Sequence, residues 1–213
     1  MDHTFKLPPR LAAIAALVPD GARLADVGTD HALLPIRLLL DGKIQSAVAT
    51  DIRPGPLSRA KENACAAGVQ DLFCVLCDGL TGISPDSVDT VVIAGMGGEN
   101  IAAILRAAPW ACRNALCILQ PMSRPEELRA ALPSLGLMIR AERLVRDAGR
   151  LILFSPCAPV LRRLFRQESC IAGSIRWSRT TRCSPMSSRN RTNGSISPFA
   201  VWNAPDGRAT VRG

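Results

Sequence analysis

Leu24-Ala-Asp-Val-Gly-Thr-Asp-His-Ala-Leu-Leu-Pro35 sets an apolar run against one glycine, two acids and one of only two histidines in the chain. Arg23–Val27 reads as a buried strand and Ala32–Leu40 as a helix, so Gly28, Thr29, Asp30 and His31 form a strand-to-helix turn. In a doubly wound sheet the first such turn is where a ligand meets a helix N-terminus, and its residues decide what the sheet can hold. A P-loop is excluded, because no Gly-Lys-Ser/Thr follows. The dinucleotide pattern G-x-G-x-x-G would need glycines where Asp30 and Leu33 stand. Asp30 would also repel a pyrophosphate.

Outward from this turn, short β-branched or apolar runs alternate with helical patterns, the signature of a parallel α/β sheet. After a helix at Pro9–Val18, strands are expected at 23–27, 46–51, 72–77, 88–94, 115–119, 138–146 and 150–155. Helices are expected at 32–40, 56–67, 99–107 and 124–135. Thr90-Val-Val-Ile-Ala94 is apolar on both faces, as a strand covered by helices on both sides should be. The last two strands are separated near Asp147-Ala-Gly149 and read as an antiparallel edge hairpin. Five alternating units and a hairpin predict a Rossmann-like, seven-stranded sheet of the methyltransferase type.

A zwitterion suits an acid beside a helix N-terminus: its ammonium pairs with a carboxylate and its own carboxylate meets backbone N–H groups. S-adenosylmethionine is such a ligand. Three later strand ends fit the same molecule. Asp51 closes the second strand, where a carboxylate can accept both ribose hydroxyls. Asp78 and Gly79 close the third, where an acid can accept from an adenine amino group. Gly95, Met96 and Gly97 close the fourth, where glycines let backbone approach a ligand.

With these residues placed, the chain resembles the bacterial tRNA (adenine-22, ring nitrogen 1)-methyltransferases. The resemblance rests on Arg10-Leu11, on Ala25-Asp-Val-Gly-Thr-Asp-His-Ala-Leu-Leu-Pro35, on Asp89-Thr-Val-Val-Ile-Ala-Gly-Met-Gly-Gly98 with Ile101, and on Leu119-Gln-Pro121. It covers about Leu7 to Ser155. It implies a class I fold using S-adenosylmethionine, tRNA as partner, and a helical C-terminal domain that helps hold the tRNA. No heptads follow Pro159, so this chain departs from that second half.

Methylation of ring nitrogen 1 makes the base cationic, and a carboxylate near its amino group would stabilise that charge. Asp30 is a candidate for this catalytic role; the competing readings have it bind the cofactor ammonium or cap the helix. His31 either meets the cofactor carboxylate, relays a proton, or is a structural hydrogen-bonder. Gln120 either bonds the edge of the target base or closes a strand before Pro121. Met96 packs on cofactor or fills core. Asp26 is expected to orient the loop by accepting from backbone amides.

Charge divides the chain in two. Residues 1–158, read as the methyltransferase domain, carry 16 Lys plus Arg against 16 Asp plus Glu. Residues 159–213 carry 10 Arg against Glu168 and Asp206, and hold the whole net charge of +8. That segment has no lasting period. It reads as a disordered or divergent basic tail, or as translation in a shifted frame. If genuine, its arginines would grip RNA electrostatically. The eight cysteines show no repeated spacing, and Cys74-Val-Leu-Cys77 has no second pair to complete a zinc site. Reduced thiols, no metal, no membrane span, no signal peptide at Leu11–Val18 and a cytoplasmic location are expected. Two other functions stay open: a non-catalytic remnant that binds cofactor or RNA, and a nicotinamide-dependent oxidoreductase.

Overall fold

The computed structural model describes residues 6–147 and 150–159. Helix α1 (Pro9–Leu17) opens the chain. Then follow β1 (Ala22–Val27), α2 (Leu33–Leu40), β2 (Ile44–Asp51), α3 (Pro54–Ala66), β3 (Leu72–Leu76), β4 (Thr90–Gly97), α4 (Gly98–Ala107), α5 (Pro109–Asn114), β5 (Leu116–Ser123), α6 (Pro125–Ala131), β6 (Leu137–Ile139), β7 (Arg143–Asp147) and β8 (Arg150–Pro159). The strands lie in the order β3-β2-β1-β4-β5-β8-β6, and β7 pairs with β8 off that path. β1 to β5 are mutually parallel, and β8 runs antiparallel to β5, β6 and β7. Connections leave β1 in one direction and β4 in the other, so the crevice between them is the topological switch point.

Period-two burial explains why helices cover both faces. Val91 and Ile93 of β4 pack into one apolar cluster with Ile101 and Leu105 of α4 and Leu128 of α6. Val92, between them, joins the opposite cluster with Ile14 of α1 and Leu34 and Leu38 of α2. All three β4 side chains are fully buried. Strands sandwiched in this way lose the polar alternation of a half-exposed sheet and read as continuous apolar runs.

Three features differ from the sequence expectation. The strand expected at 138–146 is interrupted: β6 pairs with Cys157–Pro159, and β7 pairs antiparallel with 150–154. One position of the seven-strand plan is therefore filled by two segments. Helix α5 was not expected. Pro109 starts it at a first-turn position, where a missing N–H costs nothing, and Ala111 and Cys112 are buried on the α4 side. Finally, β4 and β5 continue three to four residues beyond their expected ends, through two register shifts at Met96. The tail expected at 159–213 lies outside the described residues except for Pro159.

Candidate active site

A cleft of about 680 Å³ opens at the carboxyl ends of the parallel strands, at the switch point. Of the residues singled out by sequence, Gly28, Asp51, Asp78, Gly79, Gly95 and Met96 line it. Thr29, Asp30, His31, Gly97 and Gln120 do not.

The β1 turn is held from below. The N–H groups of Gly28 and Thr29 both donate to the Thr50 carbonyl (2.8 and 3.0 Å), so neither is open to a ligand. Gly28 has φ +68, and a Cβ there would meet the Met96 side chain at 2.1 Å. The positive φ favours glycine for the bend, while the Met96 methyl, the end of a flexible side chain, could move aside for a Cβ. Thr29 is buried and its Oγ1 donates to Asp26 Oδ2 at 2.7 Å. Asp26 therefore braces the turn through a side-chain hydroxyl rather than through the backbone amides that the sequence suggested. Burial pushes the Asp26 carboxyl up to about 6, against the opposing pull of the Thr29 hydroxyl and the Arg10 guanidinium; nearby Asp30 adds a smaller push upward.

Asp30 stands out from this packing, with its side chain 77% exposed and Oδ1 3.1 Å from His31 Nε2. His31 Nε2 also lies 3.3 Å from Arg59 Nη1 of α3, and Asn63 Nδ2 donates to the His31 carbonyl at 2.9 Å. His31 and Ala32 are both left-handed, at φ 61 and 55. Such a pair of non-glycine residues costs on the order of 1–3 kcal/mol each and persists only where neighbours enforce it. The Asn63 bond and full burial of Ala32 are the enforcing contacts here.

Asp51 is nearly buried. Its Oδ1 accepts from the Arg53 backbone N–H at 2.7 Å, while the Arg53 Nε lies 3.6 Å away. Cys77 N–H donates to the Asp51 carbonyl, and Thr50 Oγ1 donates to the Gly79 carbonyl at 2.8 Å. These two bonds join the β2 end to the loop after β3 and set Asp51 and Asp78 along one wall.

The opposite wall is a bulge. Ala94 pairs with Gln120 and Met96 with Pro121, so Gly95 is the extra residue of β4, at φ +82. Its N–H has left the strand ladder and donates instead to Gln120 Oε1 at 3.0 Å. Gln120 is fully buried, and its Nε2 has no hydrogen-bond partner among the described residues. It supports the cleft wall from behind. Gly97, beyond the bulge, caps α4.

Sequence reading missed the third wall. Asn100, Ala103, Ile104 and Ala107 of α4 line the cleft at i, i+3, i+4 and i+7, and Ile52, 66% exposed, joins them from the loop after β2. The signal was present as a second helical stripe, opposite the buried Ile101, Ala102 and Leu105. Its Ala and Asn residues give it little contrast beside the stronger core stripe. The geometry suits an adenosyl amino-acid ligand: a carboxylate at the β2 end, an apolar slot between Ile52 and α4, and a glycine bulge where a Cβ would narrow the cleft. Among the described residues no group of three His, Cys, Asp or Glu could hold a metal ion, and no helix is long and apolar enough to cross a membrane.

Known proteins share this fold. The methyltransferase-domain family matches residues 7–153. A tRNA (adenine(22)-N(1))-methyltransferase of Bacillus subtilis is 42% identical over 106 residues, which cover 49% of this chain and 44% of that protein. The chain thus spans under half the length of the curated relative it matches. The crystal structure of the B. subtilis tRNA methyltransferase TrmK superposes with a TM-score of 0.70 at 32% identity, covering 73% of this chain and 67% of that one. A Streptococcus pneumoniae candidate tRNA (m1A22) methyltransferase in complex with S-adenosyl-L-methionine gives 0.68 at 38% identity, covering 70% and 72%. These likenesses displace the nicotinamide-dependent reading. The chain belongs to the methyltransferase-domain family and, within it, to the family of the tRNA (adenine-22, N1)-methyltransferases.

Proposed function

We propose that this chain transfers a methyl group from S-adenosylmethionine to ring nitrogen 1 of adenine 22 in tRNA, in the cytoplasm. The observation that carries the reading is the cleft itself, which gathers Gly28, Asp51, Asp78 and Gly95 from four successive strand ends in a chain of this family. The names of the relatives support the substrate, and the bound cofactor of the S. pneumoniae structure supports the ligand.

S-adenosylmethionine supplies an electrophilic methyl on a sulfonium. The chain's residues bind and orient. Asp51 would accept the ribose hydroxyls through the carboxylate oxygen not engaged by Arg53. Asp78 would accept the adenine amino group, with Ile52 and Ile104 as the apolar sides of the slot and Met96 packed on the cofactor beside Gly28. Asp30 and His31, the exposed part of the β1 turn, are the groups left to meet the amino-acid end. Asp30 would also lie close enough to this end of the cleft to stabilise the positive charge that develops on the base. Methyl transfer to a lone-pair nitrogen moves no proton in the displacement itself, so catalysis comes mainly from positioning and electrostatics. Gln120 contributes by fixing Gly95, not by touching the base.

Two measurements test this. The full chain should bind S-adenosylhomocysteine calorimetrically, and Asp51→Asn should weaken that binding about tenfold or more, as loss of a charge-assisted bond predicts. Labelled methyl should pass to undermodified tRNA and be recovered as 1-methyladenosine, with Asp30→Ala strongly impaired. The other reading is a protein that binds cofactor without transferring methyl; cofactor binding with no labelled tRNA would establish that instead.

A further inference from the structure

We propose that Arg10 seats the target nucleotide by its phosphate above the Gly95 bulge, held in place by the carboxylate of Asp147. The inference rests on the methyl-transfer reading above. Arg10 lies in the first turn of α1, which has no acid of its own in that turn. Its Nε is 3.8 Å from Asp147 Oδ2 on β7, with the two side chains only 26% and 16% exposed, so the pair is weakly screened. Leu11 and Val145 pack into the same apolar cluster and fix α1 against β7.

The other end of the guanidinium comes close to Gly95 in the cleft wall, although Arg10 does not itself line the cleft. Arg10 Nη1 lies 3.9 Å from the point that a Cβ on Gly95 would occupy. Arg10 thus overhangs the bulge that forms one wall of the cleft, and its charge is felt by the buried Asp26 beneath the β1 turn. A guanidinium carries five N–H donors in a rigid fork, so anchoring through Nε leaves the Nη edge for a second acceptor.

Charge decides which acceptor. Methylation makes the base cationic, and a guanidinium held against the ring would oppose that change. Placed on the phosphate of the same nucleotide, it pairs with an existing anion and leaves the ring to the carboxylates. Residues 1–158 carry no net charge, so cations placed individually at the mouth are suited to setting the nucleotide.

The test compares the full chain with Arg10→Gln and Arg10→Lys, measuring KM and kcat for undermodified tRNA between 50 and 200 mM salt and S-adenosylhomocysteine affinity by calorimetry. Arg10→Gln should raise KM for tRNA about tenfold and reduce the salt slope of kcat/KM by about one, the signature of one lost phosphate contact. kcat and S-adenosylhomocysteine affinity should stay within about twofold, and Arg10→Lys should recover most of the KM. An unaltered KM, a higher KM with the salt slope unchanged, or an equal fall in S-adenosylhomocysteine affinity would each overturn the proposal, the last by showing a structural role for α1. Wild-type chain that binds S-adenosylhomocysteine but methylates no tRNA would instead remove the functional reading, and the Arg10 proposal with it.

Discussion

Asp26 and Asp51 obey the same local rule, an acid at or near the carboxyl end of a buried strand, yet their surroundings give them different work. Asp51 faces the cleft with Arg53 beside it, whereas Asp26 is closed in beneath the turn with the Thr29 hydroxyl as its hydrogen-bond partner. The difference was not legible in the sequence, because it depends on which neighbours pack over each carboxylate rather than on the strand that carries it. Asp30 was legible as the residue that excludes a dinucleotide; its exposure, and the left-handed pair at His31 and Ala32 beside it, were announced by no local pattern. Burial lifts Asp26 from an ordinary 3.8 to about 6, so the folded chain holds a proton there that the unfolded chain has already released. Stability from this group is therefore greatest below about pH 4 and falls as pH rises through 6. At neutral pH the buried charge costs on the order of 3 kcal/mol, taking about 1.4 kcal/mol per unit. Asp26→Asn removes the titration, while any fixed cost of its amide is the same at every pH. Urea unfolding of the two proteins from pH 4 to pH 7.5 should show the variant gaining on the wild type by a few kcal/mol; parallel curves would mean that Asp26 is not the group that titrates.

Alternation of runs and turns made the elements visible, while their ends were set by contacts that sequence periodicity does not carry. β4 was expected to stop at Ala94, where glycines begin, but the bulge at Gly95 lets pairing resume at Met96 because Gln120 satisfies the released N–H. The break between β6 and β7 is of the same kind, since β8 is long enough to pair with both. The start of α4 depends equally on a neighbour. A Cβ on Gly98 would lie 2.2 Å from the Arg124 carbonyl oxygen and 3.2 Å from Leu128 Cβ. Arg124 is itself left-handed, at φ 51, and its guanidinium pairs with Glu99. Backbone cannot yield as a flexible side chain can, so Gly98→Ala should lower stability by about 2–3 kcal/mol and displace the α4 wall of the cleft. Gly55, in the first turn of α3, offers the contrast, because nothing lies within 4 Å of its Cβ position. Gly55→Ala should be neutral or raise stability by up to about 1 kcal/mol. Thermal unfolding of both variants checks the pair, and equal effects would show that close approach at Gly98 is not what constrains it.

At the scale of the molecule, the described strand pairings run as far as Pro159. Leu137, Met138 and Ile139 pair with Pro159, Ala158 and Cys157, and the buried Cys157 stands opposite buried Cys117 across β5 and β8. A cut after Ser155 would therefore strip β6 of its partner and uncover β5, whereas a cut after Pro159 leaves every described pairing intact. Chain 1–159 should fold cooperatively and bind S-adenosylhomocysteine within about twofold of the full chain, and chain 1–155 should not. RNA binding should separate from cofactor binding in the same experiment. Removing residues 160–213 takes away 10 arginines and only two acids, while residues 1–158 are balanced. If those arginines touch tRNA, the slope of log affinity against log salt should fall by several units, at roughly 0.7–0.9 per phosphate neutralised. A slope that stays the same would place the whole RNA contact on residues 1–159, where Arg10 is the cation proposed to make part of it. Loss of cofactor affinity in chain 1–159 would show that the cleft is not self-contained, which the geometry of its walls on β1, β2, β4 and α4 argues against.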